Sequence, residues 1–153
     1  MKKIGFVGVG IMGKSMVRNL MKAGFEVSIY TRTRSKVEDV IGEGAIWCDS
    51  VAECAKGRDA VISIVGYPKD VIEVYFGPAG ILANADPGTY VIDMTTTSPK
   101  LAVQIFDEAE KLGLHAIDAP VTGGDSGAKA GTLTILAGGK KDDFDTCMPV
   151  FEA

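Results

Sequence analysis

The most constraining feature of the sequence is a glycine-spaced segment near its start, GVGIMG (8–13), which matches the pattern G-x-G-x-x-G. Glycines are common in this chain, which has 19, so the spacing alone is a weak signal. Its context makes it specific, because an apolar run (3–9) leads into it and residues at helical spacing follow it. Gly8 then permits a tight turn, Gly10 the close approach of a pyrophosphate, and Gly13 the packing of helix on strand. The segment therefore predicts a dinucleotide-binding βαβ unit, against the alternative that the glycines merely turn the chain.

Further short apolar runs predict the remaining strands of a sheet. EVSIY (26–30), DAVISIV (59–65) and YVIDM (90–94) are typical of strands buried on both faces. LHAIDAPV (114–121) and TLTILAG (132–138) add two more. Together with the helical stretches between them, these runs predict an α/β fold. We expect a doubly wound, mostly parallel sheet of the Rossmann type, forming one domain over residues 1–153.

Capping signals mark the ends of further predicted helices. SPKLAVQIFDEAEKLG (98–113) is the clearest, with a serine cap, a proline in the first turn and a closing glycine. After the second strand, Ser35 and Glu38 fit a capping box, although Thr33 serves equally well as the N-cap. The final segment, DDFDTCMPVFEA (142–153), begins a further helix, and we expect the chain to be part of a longer protein.

Composition excludes several functional classes. The formal net charge is −4, which gives no sign of a nucleic-acid partner, and no apolar run approaches the ~20 residues needed to span a membrane. The amino-terminal lysines and apolar run lack an A-x-A-like cleavage site, so we expect a cytoplasmic protein. Three cysteines without a C-x-x-C pair indicate reduced thiols. With a single histidine, the chain has too few ligands for a zinc site, and no metal is expected.

The segment YTRTRSK (30–36) lies where a dinucleotide-binding fold usually presents an acidic residue to the adenosine ribose. Here the position holds Arg32, Arg34 and a lysine, and the nearest acids, Glu26 and Glu38, are at the wrong end of the strand or inside the next helix. A carboxylate repels a 2′-phosphate, whereas an arginine pairs with it bidentately. The segment therefore predicts NADP(H) in preference to NAD(H). The alternative is a solvated basic start to the next helix.

The chain resembles the β-hydroxyacid dehydrogenase family, which includes 3-hydroxyisobutyrate, tartronate semialdehyde and 6-phosphogluconate dehydrogenases. The resemblance covers essentially all 153 residues. It rests on three segments in the same order and spacing: GFVGVGIMGKSM (5–16), VIDMTTTSP (91–99) and DAPVTGGDSGAKAGTLTILAGG (118–139).

The resemblance implies roles for particular positions. The backbone of Ile11 and Met12 would hold the pyrophosphate. Thr31, Arg32 and Thr33 match the family's Asn-Arg-Thr element, which marks NADP-preferring members, with threonine in place of asparagine. Further cofactor contacts are implied along the passage from adenosine to nicotinamide and at the nicotinamide ribose: Val65, Gly66, Thr95 and Thr96.

The resemblance also implies a substrate and a missing part. Thr122, Gly123 and Gly124 match the family's Ser-Gly-Gly motif and would hold the carboxylate of a small-molecule substrate. The family's catalytic lysine and its all-helical second domain, which makes most oligomer contacts, lie beyond residue 153. We therefore expect no catalytic residue in this chain, and a full-length homo-oligomer that transfers hydride between a nicotinamide and a short β-hydroxy acid or its carbonyl form.

Two alternatives remain open. One is a non-catalytic module that senses or sequesters NADP(H) with the same fold, since fold alone does not decide function. The other, within the enzymes, is 6-phosphogluconate dehydrogenase itself, which we consider less favoured because DAPVTGG (118–124) is nearer the small-acid branch.

Overall fold

The computed structural model of the protein describes residues 2–65, 68–95, 99–118, 121–122 and 134–135. Within them the strands are β1 (Lys3–Val7), β2 (Glu26–Tyr30), β3 (Ile46–Trp47), β4 (Ala60–Ser63), β5 (Tyr90–Asp93), β6 (His115–Asp118), β7 (Val121–Thr122) and β8 (Thr134–Ile135). The helices are α1 (Ile11–Lys22), α2 (Glu38–Gly42), α3 (Val51–Ala55), α4 (Pro68–Phe76), α5 (Ile81–Asn84) and α6 (Pro99–Lys111), and one 3-10 turn covers Arg34–Lys36.

The sheet has six parallel strands in the order β3-β2-β1-β4-β5-β6. This order confirms the predicted doubly wound Rossmann-type fold. The chain reverses its direction of winding between β1 and β4, where Val7 is in register with Tyr30 on one side and Ser63 on the other. In open α/β sheets, ligands bind beyond the carboxyl ends of the strands at such a switch point.

The central strands are buried on both faces, as their continuous apolar runs predict. Successive residues of β4 and β5 alternate between two apolar clusters: Ile62 and Ile92 pack with α1, while Val61 and Val91 pack with α3, α4 and α6. A rigid sheet covered on both faces leaves its carboxyl edge as the place where loops converge.

The structure corrects one expected helix start. Ser35 and Glu38 do not form a capping box, because residues 34–36 form a 3-10 turn and α2 begins only at Glu38. Thr33 is the N-cap of that turn, but its side chain makes no capping hydrogen bond. The basic segment after β2 is therefore a turn that ends before the helix.

The last strands also differ from the expectation of a simple extension of the sheet. β6 joins the sheet beside β5, but β7 and β8 pair antiparallel with each other in a separate two-stranded ladder. The predicted helix at residues 142–153 lies outside the described residues. Among the helices that are described, none combines the length and apolar character that crossing a membrane requires.

Candidate functional site

A cleft of about 800 Å³ opens at the carboxyl edge of the sheet. It spans the ends of β2, β1 and β4, which is the switch point of the fold. Its wall is mainly apolar and also contains polar and charged side chains, as is usual for small-molecule sites. The residues that line it come from six segments: Val7, Gly8, Gly10, Gly13, Tyr30, Thr31, Arg32, Asp49, Ser50, Val51, Ile64, Val65, Asp70, Glu73, Val74, Gly77, Pro78, Ala79 and Gly80.

The three glycines of the segment 8–13, which leads from β1 into α1, have different surroundings. Gly8 has φ +92°, and a Cβ there would collide with the carbonyl oxygen of Ile64. A Cβ on Gly13 would lie 2.8 Å from the carbonyl oxygen of Gly8 and 3.3 Å from the ring of Phe6. A Cβ on Gly10 would meet nothing within 4 Å. Protein packing thus accounts for Gly8 and Gly13, whereas nothing in the described protein requires a glycine at position 10.

Gly10 is the N-cap of α1, with φ −87° and ψ −161°, and it is exposed at the cleft. These angles are open to any residue. The first turn of α1 contains no acidic residue, and no side chain caps the helix. The first N–H groups of a helix lack intrahelical partners and carry a partial positive charge. This end of the cleft is therefore suited to an anion approaching the backbone.

The part of the cleft around Arg32 contains carboxylates as well as this arginine. Arg32 follows β2, and its Nη2 donates a hydrogen bond to Oδ1 of Asp70 at 2.6 Å. Glu73 Oε2 lies 3.6 Å from the same nitrogen. The hydrogen bond and the negative charge of Asp70 raise the pKa of Arg32 above its usual value. Arg32 is thus cationic and held across the cleft entrance, between the end of β2 and the first turn of α4.

The residues next to Arg32 in sequence differ from it in exposure and in whether they line the cleft. Thr31 is half-buried and lines the cleft, whereas Thr33 is exposed beside the 3-10 turn. The Cζ atom of Arg34 lies 5.5 Å from the centroid of the Trp47 ring, and its Nε lies 3.4 Å from Oε1 of Glu38. Of the two arginines, the structure places only Arg32 in the lining of the cleft.

A buried polar network joins the loop that follows β4 to the loop that follows β5. The backbone N–H of Val65 donates to Oγ1 of Thr95 at 2.9 Å, and the N–H of Thr95 donates to Oδ1 of Asp93 at 3.0 Å. That carboxylate also accepts from the hydroxyl of Ser63 at 3.1 Å, which is 2.6 Å from the hydroxyl of Tyr75. Thr95 therefore ties the loop after β4 to the loop after β5.

Several predicted site residues are described in part or not at all. Ile11 and Met12 form the first turn of α1, so their backbone lies at the helix end described above. Thr122 lies in β7, opposite Thr134 of β8. The remaining predicted positions lie outside the described residues: Gly66, Thr96, Gly123 and Gly124.

Sequence reasoning missed the wall of the cleft opposite the glycine loop. Asp70, Glu73 and Val74 come from α4, and two loops, 49–51 and 77–80, complete it. A signal was present, since α4 directly follows β4 and the fold places that connection at the switch point. No motif marks these residues as a site.

Comparisons with known proteins agree with this fold. The family model described as the NAD binding domain of 6-phosphogluconate dehydrogenase matches residues 3–153. An uncharacterized oxidoreductase of Bacillus subtilis, YkwC, is 52% identical over 150 residues, which are 98% of this chain and 52% of that protein. An NAD-dependent L-serine dehydrogenase of Pseudomonas aeruginosa is 39% identical over 153 residues, covering 100% of this chain and 51% of the relative.

A solved structure, that of Mycobacterium tuberculosis 3-hydroxyisobutyrate dehydrogenase with L-serine, superposes with a TM-score of 0.93 at 33% identity. The match covers 99% of this chain and 51% of that one. The chain thus spans about half the length of the curated relatives it matches.

Proposed function

Because the chain belongs to the β-hydroxyacid dehydrogenase family, in which it corresponds to the amino-terminal NAD(P)-binding domain, we propose that its cleft binds NADP(H) in preference to NAD(H). The preference for NADP(H) rests on Arg32 in the cleft lining. The observation that carries dinucleotide binding itself is the open backbone at Gly10, at the positive end of α1. A pyrophosphate needs such an approach to backbone N–H groups.

The pyrophosphate would lie against the backbone of Gly10, Ile11 and Met12. Gly8 and Gly13 would act indirectly, by fixing the turn and the close packing of α1 on the sheet. The loop has no acidic residue in the first helical turn to repel an anion. These features fit a dinucleotide without further adjustment of the backbone.

The 2′-phosphate of NADP(H) would pair with Arg32, assisted by Thr31 and Thr33. Arg32 supports this assignment because its side chain is 71% exposed at the cleft and its guanidinium is a planar fork suited to phosphate. The preference needs measurement on this chain, since the L-serine dehydrogenase that is 39% identical is named as NAD-dependent.

The nicotinamide end would lie beside Val65, Gly66, Thr95 and Thr96, beyond the carboxyl ends of β4 and β5. The network of Asp93 and Thr95 supports this assignment, because it gives those loops a fixed position relative to each other. Thr122, Gly123 and Gly124 would hold the substrate's carboxylate through backbone N–H groups and the threonine hydroxyl.

The complete protein would be an oxidoreductase that interconverts a short β-hydroxy acid and its carbonyl form. The nicotinamide supplies the hydride chemistry, while the protein binds and orients the reactants. The family resemblance assigns proton transfer to a lysine that would lie beyond residue 153. We therefore expect this chain, assayed alone, to bind cofactor with little or no turnover, and the full-length protein to form a homo-oligomer.

The cofactor preference can be tested by titrating NADPH and NADH into the wild type and Arg32→Asp. Losing a charge-assisted pair with the 2′-phosphate should lower NADPH affinity roughly ten- to a hundredfold while NADH affinity changes little. Arg34→Asp is the matched control, because Arg34 packs on Trp47 away from the cleft lining. An unchanged NADPH to NADH ratio in Arg32→Asp would remove the basis of the proposal.

A further inference from the structure

No carboxylate directly follows β2 in the sequence, but another element, α4, brings one to Arg32. Asp70, in the first turn of α4, is separated from Arg32 by 38 residues and accepts its hydrogen bond at 2.6 Å. The Asp70 side chain is only 9% exposed, whereas Arg32 is 71% exposed. Both residues line the cleft. A buried acid therefore accompanies the exposed arginine at the point where a ribose 2′-substituent would lie.

The geometry of the pair leaves room for an anion on the same guanidinium. A guanidinium carries five N–H donors on three nitrogens, and the contacts with Asp70 and Glu73 both use Nη2. A 2′-phosphate bound through the other donors would lie within a Debye length, about 8 Å at physiological ionic strength, of the Asp70 carboxylate, because both would contact one guanidinium. At that distance two anions repel each other, and the burial of Asp70 limits screening.

A 2′-hydroxyl at the same position would interact with Asp70 differently from a 2′-phosphate. It carries no charge, and a carboxylate is the usual acceptor for it in dinucleotide-binding folds. Asp70 thus disfavours the phosphorylated ribose without disfavouring the plain one. Glu73 has the same sign but contributes less, because it is 77% exposed and its oxygen is 3.6 Å from Nη2.

We propose that Asp70 is a specificity-determining residue that limits the preference of Arg32 for NADPH, so that the domain also accepts NADH. The inference rests on the proposed function, since it concerns the same cofactor cleft. It assigns the balance between the two cofactors to one ion pair, whose members lie on α4 and at the end of β2.

The test compares the dissociation constants of NADPH and NADH in the wild type, Asp70→Asn, Asp70→Glu and Glu108→Gln. Asparagine keeps an oxygen that accepts from Arg32 but loses the charge, so NADPH should bind about three- to tenfold more tightly while NADH stays within about twofold. Asp70→Glu keeps the charge and should retain the wild-type ratio. Glu108→Gln removes a carboxylate from a surface pair with Lys111 and should shift neither constant.

The ratio of the two constants separates specificity from folding damage, because a damaged cleft weakens both cofactors together. An Asp70→Asn ratio equal to or below that of the wild type would overturn the inference while leaving the proposed function intact. The inference also fails if Asp70→Glu or Glu108→Gln shifts the ratio as far as Asp70→Asn does. A wild type that binds neither dinucleotide would overturn the proposed function itself, and the inference with it.

Discussion

Replacing Gly10 with alanine separates a residue needed for a ligand from a residue needed for the fold. The added Cβ meets no heavy atom within 4 Å, and the backbone angles at Gly10 suit alanine. Alanine is a poorer N-cap than glycine, by up to about 1 kcal/mol, but it reduces the entropy of the unfolded chain by a comparable amount. These two effects oppose each other, so the free energy of unfolding should change by less than about 1 kcal/mol.

The effect on binding should be much larger than the effect on stability. The methyl group would occupy the space through which a pyrophosphate reaches the first N–H groups of α1. Losing one charge-assisted hydrogen bond costs about 1.5–3 kcal/mol. The affinity of the Gly10→Ala variant for NADPH should therefore fall roughly ten- to a hundredfold, and its affinity for NADH should fall by the same factor.

Isothermal titration gives the affinities, and thermal unfolding followed by circular dichroism gives the stability. Gly42→Ala is the matched control, because a Cβ at that exposed position in α2 also meets nothing within 4 Å and the residue does not line the cleft. It should bind cofactor like the wild type and gain about 0.5–1 kcal/mol of stability.

Two results would refute this reasoning. Wild-type affinity in Gly10→Ala would show that the open backbone is not where the ligand binds. A loss of stability of several kcal/mol would show that Gly10 is required by the fold, as Gly8 is, and the distinction drawn between the glycines would be wrong.

Three further predictions concern the framework of the site. Gly13→Ala should lower the free energy of unfolding by about 1–3 kcal/mol, because its Cβ would lie 2.8 Å from the carbonyl oxygen of Gly8; equal melting temperatures would contradict this. Thr95→Val should cost about 1–3 kcal/mol by leaving the N–H of Val65 without its acceptor, and Thr95→Ser should restore stability, as chemical denaturation can show. Asp59 accepts two backbone hydrogen bonds at the amino end of β1, which hold its pKa below the usual range. Asp59→Asn should therefore cost about 1 kcal/mol at neutral pH, and the difference from wild type should vanish as the pH falls through the lowered pKa; a difference that persists at low pH argues against it.

The sequence predicts best where a periodic pattern is long or a strand is central. β2 has the bounds that its apolar run predicts, and the predicted helix at 98–113 contains α6, after which Gly113 adopts φ +75°. In these segments, local propensity and burial favour the same structure. The observed order of the six parallel strands is one of the few that the handedness and connection rules of α/β folds allow.

Apart from α4, the missed elements are short. β3 has two residues, α3 has five and α5 has four, too few for a hydrophobic period to emerge. Such segments are held by tertiary packing: α3 and α5 bury Cys54 and Ile81 in the same cluster. Their loops nevertheless form much of the cleft wall, so most of that wall could not be predicted from the sequence.

The pair of Arg32 and Asp70 shows the same limit of prediction from the sequence. The basic segment after β2 is visible in the sequence, and Arg32 does line the cleft. Its partner Asp70 could not be predicted from the sequence. Only the packing of α4 against the end of β4 brings these two residues, which are distant in sequence, together. A carboxylate absent from the local motif is thus supplied by the tertiary fold.

The central claim is that this cleft holds a dinucleotide with its pyrophosphate on the α1 loop and its ribose phosphate at Arg32. A crystal structure of the chain grown with NADPH tests it most directly. We expect pyrophosphate oxygens within hydrogen-bonding distance of the backbone N–H groups that follow Gly10, and the 2′-phosphate on the guanidinium of Arg32. Cofactor bound elsewhere, or with its 2′-phosphate directed away from Arg32 into solvent, would contradict it.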